Sequence, residues 1–388
     1  MKQIKENYSP LYFLSSLGSG GLSVSFFMYL QFMIPHPKMP MVTYSNIASV
    51  IQRADYTSVL AILALIGFAF FAITHFILLY KNISWFRAFK KTDGYTKLVS
   101  SNSGIGLMAI PLTLSMSINV ILIAGAISIP NLWDSIEYLF PISLAGFFIL
   151  GIYASSIFSK NMLRVVVEGD MSFVNTNNLS QLLSIFTFSM IAVGFAAPGA
   201  MSQNIIMNAA GLFLAIFFLS MAIIIALIKY ILGFRAILEK GIAKEAAPTL
   251  WLGIPFLTLG GITIVRLLFG LDHHFDDELS NSSLFVLTSI VVALQILNGI
   301  FGYAVMKKIG YFKEFVTGKG KSVGSFSLIC PGVAFFVFGM FYLHFGLVKN
   351  GVIDKFSIMY FITLIPFIAV KITTIITFFR LGNKLLRK

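Results

Sequence analysis

Ten long apolar segments dominate this chain, and short polar stretches that hold most of the charged residues separate them. A segment of about 20 apolar residues crosses a bilayer as a helix, because a helix satisfies its own backbone hydrogen bonds. The alternation of apolar and polar residues that marks barrel strands is absent. The pattern predicts an all-α polytopic membrane protein, a single domain over residues 1–388 with ten transmembrane helices. The predicted spans cover residues 10–34, 58–82, 104–128, 138–158, 180–202, 205–231, 249–271, 283–306, 325–348 and 355–380.

Basic residues are unevenly divided between the two sets of loops. With the N-terminus placed in the cytoplasm, most of the 28 Lys and Arg residues fall on the cytoplasmic side. The opposite loops hold only Lys38, Arg53, Lys349 and Lys355. Short cytoplasmic loops carry an excess of Lys and Arg, so this bias predicts an even number of spans with both termini cytoplasmic, in the plasma or inner membrane. It also accounts for the net charge of +13 without a nucleic-acid partner.

Acidic residues are missing from all ten predicted spans. A cation or proton pathway usually needs acidic groups within the bilayer, where an ionisable group is costly and is kept for a purpose. An anion pathway works without them. The absence of acidic residues therefore favours small anions, inorganic or organic, as the transported species.

Helix-breaking residues are concentrated in the odd-numbered segments, for example Gly20 in the first, Pro255 in the seventh and Pro331 in the ninth. Proline inside a helix removes one hydrogen bond and bends the axis. The alternation predicts an inner ring of five bent helices around a pore and an outer ring of straighter helices facing lipid. The alternative is that these small residues only permit close helix packing.

Small and hydroxyl-bearing residues of the inner ring are the candidates for lining a nearly uncharged pore. Hydroxyl and backbone donors replace part of the hydration shell of an anion, and weak neutral sites let the ion leave again. The same hydroxyls also suit hydrogen bonds between helices, which remains the alternative. The candidates are Ser16, Ser19, Gly20, Pro111, Ser115, Thr187, Pro255, Thr258, Cys330 and Pro331.

Three stretches of the odd-numbered segments carry a resemblance to a known family. They are SPLYFLSSLGSGGLSVS at 9–25, APTLWLGIPFLTLGG at 247–261 and SFSLICPGVAFFVFG at 325–339. Together with the ten-span plan, they resemble the tellurite-resistance/dicarboxylate transporter family, which includes bacterial TehA and the plant slow anion channels. The resemblance implies five helical hairpins around a central pore, in a homotrimer whose subunits each have their own anion path.

The same resemblance implies a gating Phe in the ninth span, just before a proline. Here Cys330 precedes Pro331, so the chain departs from that pattern. The remaining gate candidates are Phe335 and Phe336 in the ninth span and Phe256 in the seventh.

Four ionisable side chains of the spans are candidates for burial. Arg266 is predicted either to attract anions near the outer mouth of the pore or to reach the outer headgroups with its charged end. Lys371 lies deep in the tenth span, so we expect it to contact a carbonyl group of a neighbouring helix. His75 and His344 are predicted at the membrane interface.

The leading hypothesis is an anion channel or channel-like uniporter with a pore constricted by Phe. The alternative is a secondary transporter of an organic acid, sulfite or another small anion, with or without proton coupling. A membrane enzyme or signalling subunit is the third hypothesis, and it depends on the loop from Asp272 to Glu278, where His273 and His274 offer metal ligands. That loop is more typical of a solvated external segment. No enzyme motif is present, so we predict no catalytic residue, no metal site and no cofactor.

Overall fold

The computed structural model describes residues 8–37, 39–168, 182–275 and 280–386. Within these ranges it contains ten helices long and apolar enough to cross a membrane, and no β-strand. The predicted all-α class with ten candidate membrane spans is therefore confirmed. The helices are α1 (Phe13–Met33), α2 (Tyr56–Phe89), α3 (Ala109–Ser128), α4 (Ile136–Glu168), α5 (Leu183–Met201), α6 (Ile205–Lys240), α7 (Gly253–His274), α8 (Asn281–Lys308), α9 (Ile329–Phe341) and α10 (Ile358–Leu385).

Four of the five odd-numbered helices begin with a 3-10 segment. These segments are Pro10–Tyr12 before α1, Asn102–Met108 before α3, Lys244–Trp251 before α7 and Val323–Leu328 before α9. Pro111, Pro255 and Pro331 each occupy the third position of the α-helix that follows. Proline is tolerated in a first helical turn, since the N–H groups there have few partners within the helix. These prolines therefore lie where the helix begins, and the predicted mid-helix bend is wrong for them.

The even-numbered helices are longer than the predicted spans, and several begin with side-chain caps. The Asp55 carboxylate accepts hydrogen bonds from the N–H groups of Thr57 and Ser58 and starts α2, which has 34 residues. Asn204 caps α6, which has 36 residues. The Arg235–Glu239 ion pair lies in the last turns of α6. These helices continue past their apolar stretch because capping and pairs of charged side chains support the polar ends.

The odd-numbered helices form a closed cycle of contacts. Helix α1 packs against α3, α3 against α5, α5 against α7, α7 against α9, and α9 against α1. Each even-numbered helix packs on the odd-numbered helix before it. In the most apolar window of each odd-numbered span 56% to 89% of residues are buried, against 28% to 44% for the even-numbered spans. The protein core therefore lies between the odd-numbered helices. Other helices are Tyr44–Ile51, Asp93–Val99, Leu132–Ser135, Phe312–Val316 and Tyr342–Val348, which continues α9.

Three glycines bring α5, α6 and α7 into backbone contact. A Cβ atom on Gly211 would lie 2.7 Å from the backbone nitrogen of Gly199, and one on Gly270 would lie 2.5 Å from the Gly199 carbonyl oxygen. The Asn208 side chain donates hydrogen bonds to the carbonyls of both Gly199 and Gly270. Small residues of this kind permit close helix packing in membranes, where an amide also bridges the helices.

We expect Gly211→Ala to destabilise the protein by about 1–3 kcal/mol, because the new methyl group meets backbone that cannot move aside. The control is Gly233→Ala in the same helix, where nothing lies within 4 Å of the added Cβ atom. The control should keep its stability or gain up to about 1 kcal/mol, because alanine has a higher helix propensity than glycine. Thermal unfolding in detergent measures both. Equal stability of the two variants would show that the three helices do not approach this closely.

Candidate functional site

A cavity of about 190 Å³ lies at the centre of the bundle, and all five odd-numbered helices contribute to its wall. The 3-10 segments before α1, α3, α7 and α9 contact one another in pairs, so these helices begin on the same side. One end of the cavity lies near these N-terminal ends and is lined by Leu17, Phe186, Pro255 and Cys330. The other end is lined by Met28, Met201, Arg266 and Phe341. The wall between them is mainly apolar.

Four of the residues predicted from the sequence line this cavity: Pro255, Thr258, Arg266 and Cys330. The cavity therefore brings together residues of α7 and α9 that lie far apart in the sequence. The other ten predicted residues are absent from the lining. They are Ser16, Ser19, Gly20, Pro111, Ser115, Thr187, Phe256, Pro331, Phe335 and Phe336.

Hydroxyl groups of the predicted pore residues are bonded to backbone carbonyls. The Ser19 hydroxyl donates to the Phe71 carbonyl of α2 at 2.8 Å, and that of Ser16 donates to the His75 carbonyl at 2.9 Å. The Ser115 hydroxyl donates to Pro111, one turn earlier in α3. Thr187 lies similarly close to the Leu183 carbonyl of its own helix. Ser16 and Ser19 therefore make the bonds between helices that were the alternative to pore lining, and Thr187 also lies 3.1 Å from the Met108 carbonyl before α3. The Ser115 bond stays within α3.

Two of the three predicted gate aromatics pack against rings of neighbouring helices. The Phe335 ring packs 4.8 Å from that of Phe367 in α10, and the fully buried Phe336 ring lies 5.2 Å from that of Tyr29 in α1. Three other phenylalanines line the cavity: Phe27, Phe186 and Phe341. Sequence analysis missed these three, because the chain contains 40 Phe residues and their pattern does not reveal helix rotation.

Few polar side chains line the cavity, and the hydroxyl of Thr258 is already bonded. It accepts from Gln295 Nε2 at 2.6 Å, and its own proton goes to a backbone carbonyl, with those of Ala334 at 3.0 Å and Ile254 at 3.1 Å within reach. The Asn119 amide nitrogen, which sequence analysis overlooked, lies 3.7 Å from the Met190 sulfur. The signal that could have identified Asn119 is a carboxamide side chain in a mainly apolar odd-numbered span.

Arg266 is the one charged residue of the cavity wall among the described residues. Its Nη1 atom donates to the Val193 carbonyl at 2.8 Å. No Asp or Glu of the described ranges forms an ion pair with it. The charge stands against mainly apolar walls, where electrostatic interactions are stronger than in water.

Lys371 is buried in a cage of aromatic rings outside the cavity. Its Nζ atom lies 3.6 Å from the ring centre of Phe26, 4.2 Å from that of Tyr29 and 4.5 Å from that of Phe336. It also donates to the Ser25 carbonyl at 3.3 Å, so the predicted contact with a neighbouring helix carbonyl is confirmed. The ammonium group holds α10 against α1 and α9 through cation–π contacts.

Both histidines of the spans, which were predicted at the membrane interface, are buried inside the bundle. His75 has no exposed surface, and its ring nitrogens lie 2.8 Å from the Ser16 carbonyl and 2.8 Å from the Ser117 hydroxyl. His344 lies 2.9 Å from the Met340 carbonyl and 3.0 Å from the Tyr360 hydroxyl. Buried polar groups need such partners, and neighbouring helices supply them.

The acidic loop considered as a metal site is only partly described. Asp276, Asp277 and Glu278 lie outside the described residues. His274 bonds through Nε2 to the Ser202 carbonyl at 2.9 Å. In the described part of the chain, no three His, Cys, Asp or Glu side chains are grouped as a metal site requires.

Comparison with known proteins gives no relative for this chain: no family model, no curated protein and no solved structure matches it. The geometry of the cavity and the residues that line it are therefore the basis for assigning a function.

We expect Lys371→Met to leave the stability within about 1 kcal/mol of the wild type. The variant loses the cation–π contacts but also the cost of burying a charge, and the volume is retained. Lys371→Glu should cost about 3–5 kcal/mol, because a buried carboxylate would face the negative faces of three rings. Thermal unfolding in detergent compares the two. A Glu variant as stable as the Met variant would contradict the aromatic cage.

Proposed function

We propose that this protein is an anion channel or channel-like uniporter and that the cavity between the odd-numbered helices is part of its anion path. The observation that carries the proposal is an apolar cavity lined by all five odd-numbered helices, with Arg266 as its charged wall residue. Apolar walls with one cation favour anions over cations and hold them weakly enough for release. The acid-free spans support the same selectivity.

The resemblance noted in the sequence extends this proposal. We infer five helical hairpins around a central pore, in a homotrimer in the cell membrane with both termini cytoplasmic. The closed cycle of contacts among odd-numbered helices and the greater burial of those helices support an inner ring. The bias of Lys and Arg between loops supports the orientation.

The residues that line the cavity favour Phe186 as the constriction of the path. It lies in the first turn of α5 and lines the N-terminal end of the cavity. The 3-10 segments of four other odd-numbered helices contact one another at this end. The gate candidates drawn from the resemblance, Phe256, Phe335 and Phe336, are not part of the lining.

A carrier of an organic acid, sulfite or another small anion is the second candidate. The contacts among 3-10 segments beyond one end of the cavity favour it, because a carrier closes its binding site on one side at a time. A channel gives downhill flux at ion-channel rates, whereas a coupled carrier accumulates its substrate under an ion gradient.

Truncation of the constriction should raise anion flux. We expect Phe186→Ala to increase chloride or nitrate flux into proteoliposomes on the order of tenfold, which is about 1.4 kcal/mol in the barrier. The matched control is Phe335→Ala, which removes the same atoms from a ring packed on Phe367. Unchanged flux in Phe186→Ala, or an increase in the control instead, would assign the constriction elsewhere.

Cys330 provides a test of the path itself, because it is the one cysteine of the chain and lines the cavity. We expect a small anionic methanethiosulfonate reagent to reduce anion flux through the wild-type protein by more than half. Cys330→Ser should conduct normally and resist the reagent. Equal inhibition of both proteins would argue against the cavity as the path. No flux above protein-free vesicles in either would argue against transport of these anions.

A further inference from the structure

We propose that the cavity binds monocarboxylates with a short apolar tail, and that Arg266 and Asn119 hold the carboxylate. The inference rests on the proposed function, since it assigns the substrate class of the same cavity. Arg266 and Asn119 are the two side chains of the cavity wall that retain unused N–H donors.

Arg266 and Asn119 approach the same part of α5 from opposite sides. Arg266 extends from α7 to the Val193 carbonyl at 2.8 Å, and Asn119 extends from α3 to the Met190 sulfur at 3.7 Å. Met190 and Val193 are three residues apart, about one helical turn. All four residues line the cavity. The guanidinium and the carboxamide therefore both contact one short stretch of α5.

Both groups have donors to spare. A guanidinium carries five N–H donors in a planar fork, and the described bonds of Arg266 use one of them. The described partner of the Asn119 amide is a thioether, which is a weak acceptor. Thr258 offers no comparable donor, because its proton is taken by a backbone carbonyl. A planar carboxylate matches the guanidinium fork better than a spherical ion does.

The remaining wall suits an apolar tail. Leu17, Met116, Phe186, Val333 and Val337 are among its residues. An apolar cavity of about 150 Å³ holds a molecule the size of benzene, so about 190 Å³ accommodates a four-carbon acid. A halide gains nothing from these side chains.

A second negative charge has no partner in this wall. Arg266 is its one charged residue within the described ranges, and burial of an unpaired carboxylate against apolar side chains is costly. The cavity therefore discriminates against dicarboxylates of the same length. This selectivity follows from the count of charges and not from size.

The test is calorimetric titration of the purified full-length protein with butyrate, succinate and chloride, alongside chloride flux into proteoliposomes. Butyrate should bind at least tenfold more tightly than succinate or chloride, and it should inhibit chloride flux. Arg266→Gln should weaken butyrate binding at least tenfold, and Asn119→Leu several-fold. Arg235→Gln is the charge-matched control, since its exposed guanidinium pairs with Glu239 outside the cavity, and it should bind butyrate like the wild type.

Succinate binding as tight as butyrate binding overturns the inference, and this comparison needs no variant. Retained butyrate affinity in a folded Asn119→Leu or Arg266→Gln protein also overturns it. If chloride flux persists while butyrate neither binds nor competes, the assignment of monocarboxylates as substrates fails and the proposed anion path stands. Absence of both flux and binding defeats the proposed function as well.

Discussion

Every polar group in this bundle needs a partner within the protein, because the lipid around it offers none. The Ser19 hydroxyl meets the need by donating to a carbonyl of α2, and that of Thr187 lies within hydrogen-bond distance of carbonyls of its own helix and of the segment before α3. His75 meets it by joining serines on α1 and α3. Side chains that seemed suited to an ion path are thereby committed to holding helices together. The central cavity is left apolar, and the few donors that remain there gain significance.

Proline position links the fold to the shape of the cavity. Pro255 and Pro331 lie in first helical turns that follow 3-10 segments. A 3-10 turn is narrower than an α turn and rises faster, so each change of helix type shifts the side chains around the axis. The 3-10 segments contact one another, while the α-helical parts surround a cavity. Pro255 and Pro331 thus lie where the contacting 3-10 segments give way to the helices that surround the cavity.

The spans and their class could be predicted, since length and apolar composition determine which segments enter lipid. The direction in which each side chain points could not be predicted. Ser16 and Leu17 are neighbours in α1, yet Leu17 lines the cavity and Ser16 bonds to α2. A rotation of 100° per residue separates them, and uniformly apolar segments carry no moment that fixes the rotation. Arg266 was predictable because a charge is rare in such a segment. Phe186 was not, being one of 40 Phe residues.

Arg266 and Lys371 show how the same fold treats two cations differently. Lys371 is enclosed by three rings and a carbonyl, so its surroundings are complete without a ligand. Arg266 has a single described hydrogen bond and faces a cavity. A charge in an apolar wall is stabilised by any counter-ion that enters. Under the proposed function, an entering anion would supply the partner that Arg266 lacks, and its binding would stabilise the folded bundle. Such a site would combine charge selection with release, because a single guanidinium attracts an anion without enclosing it.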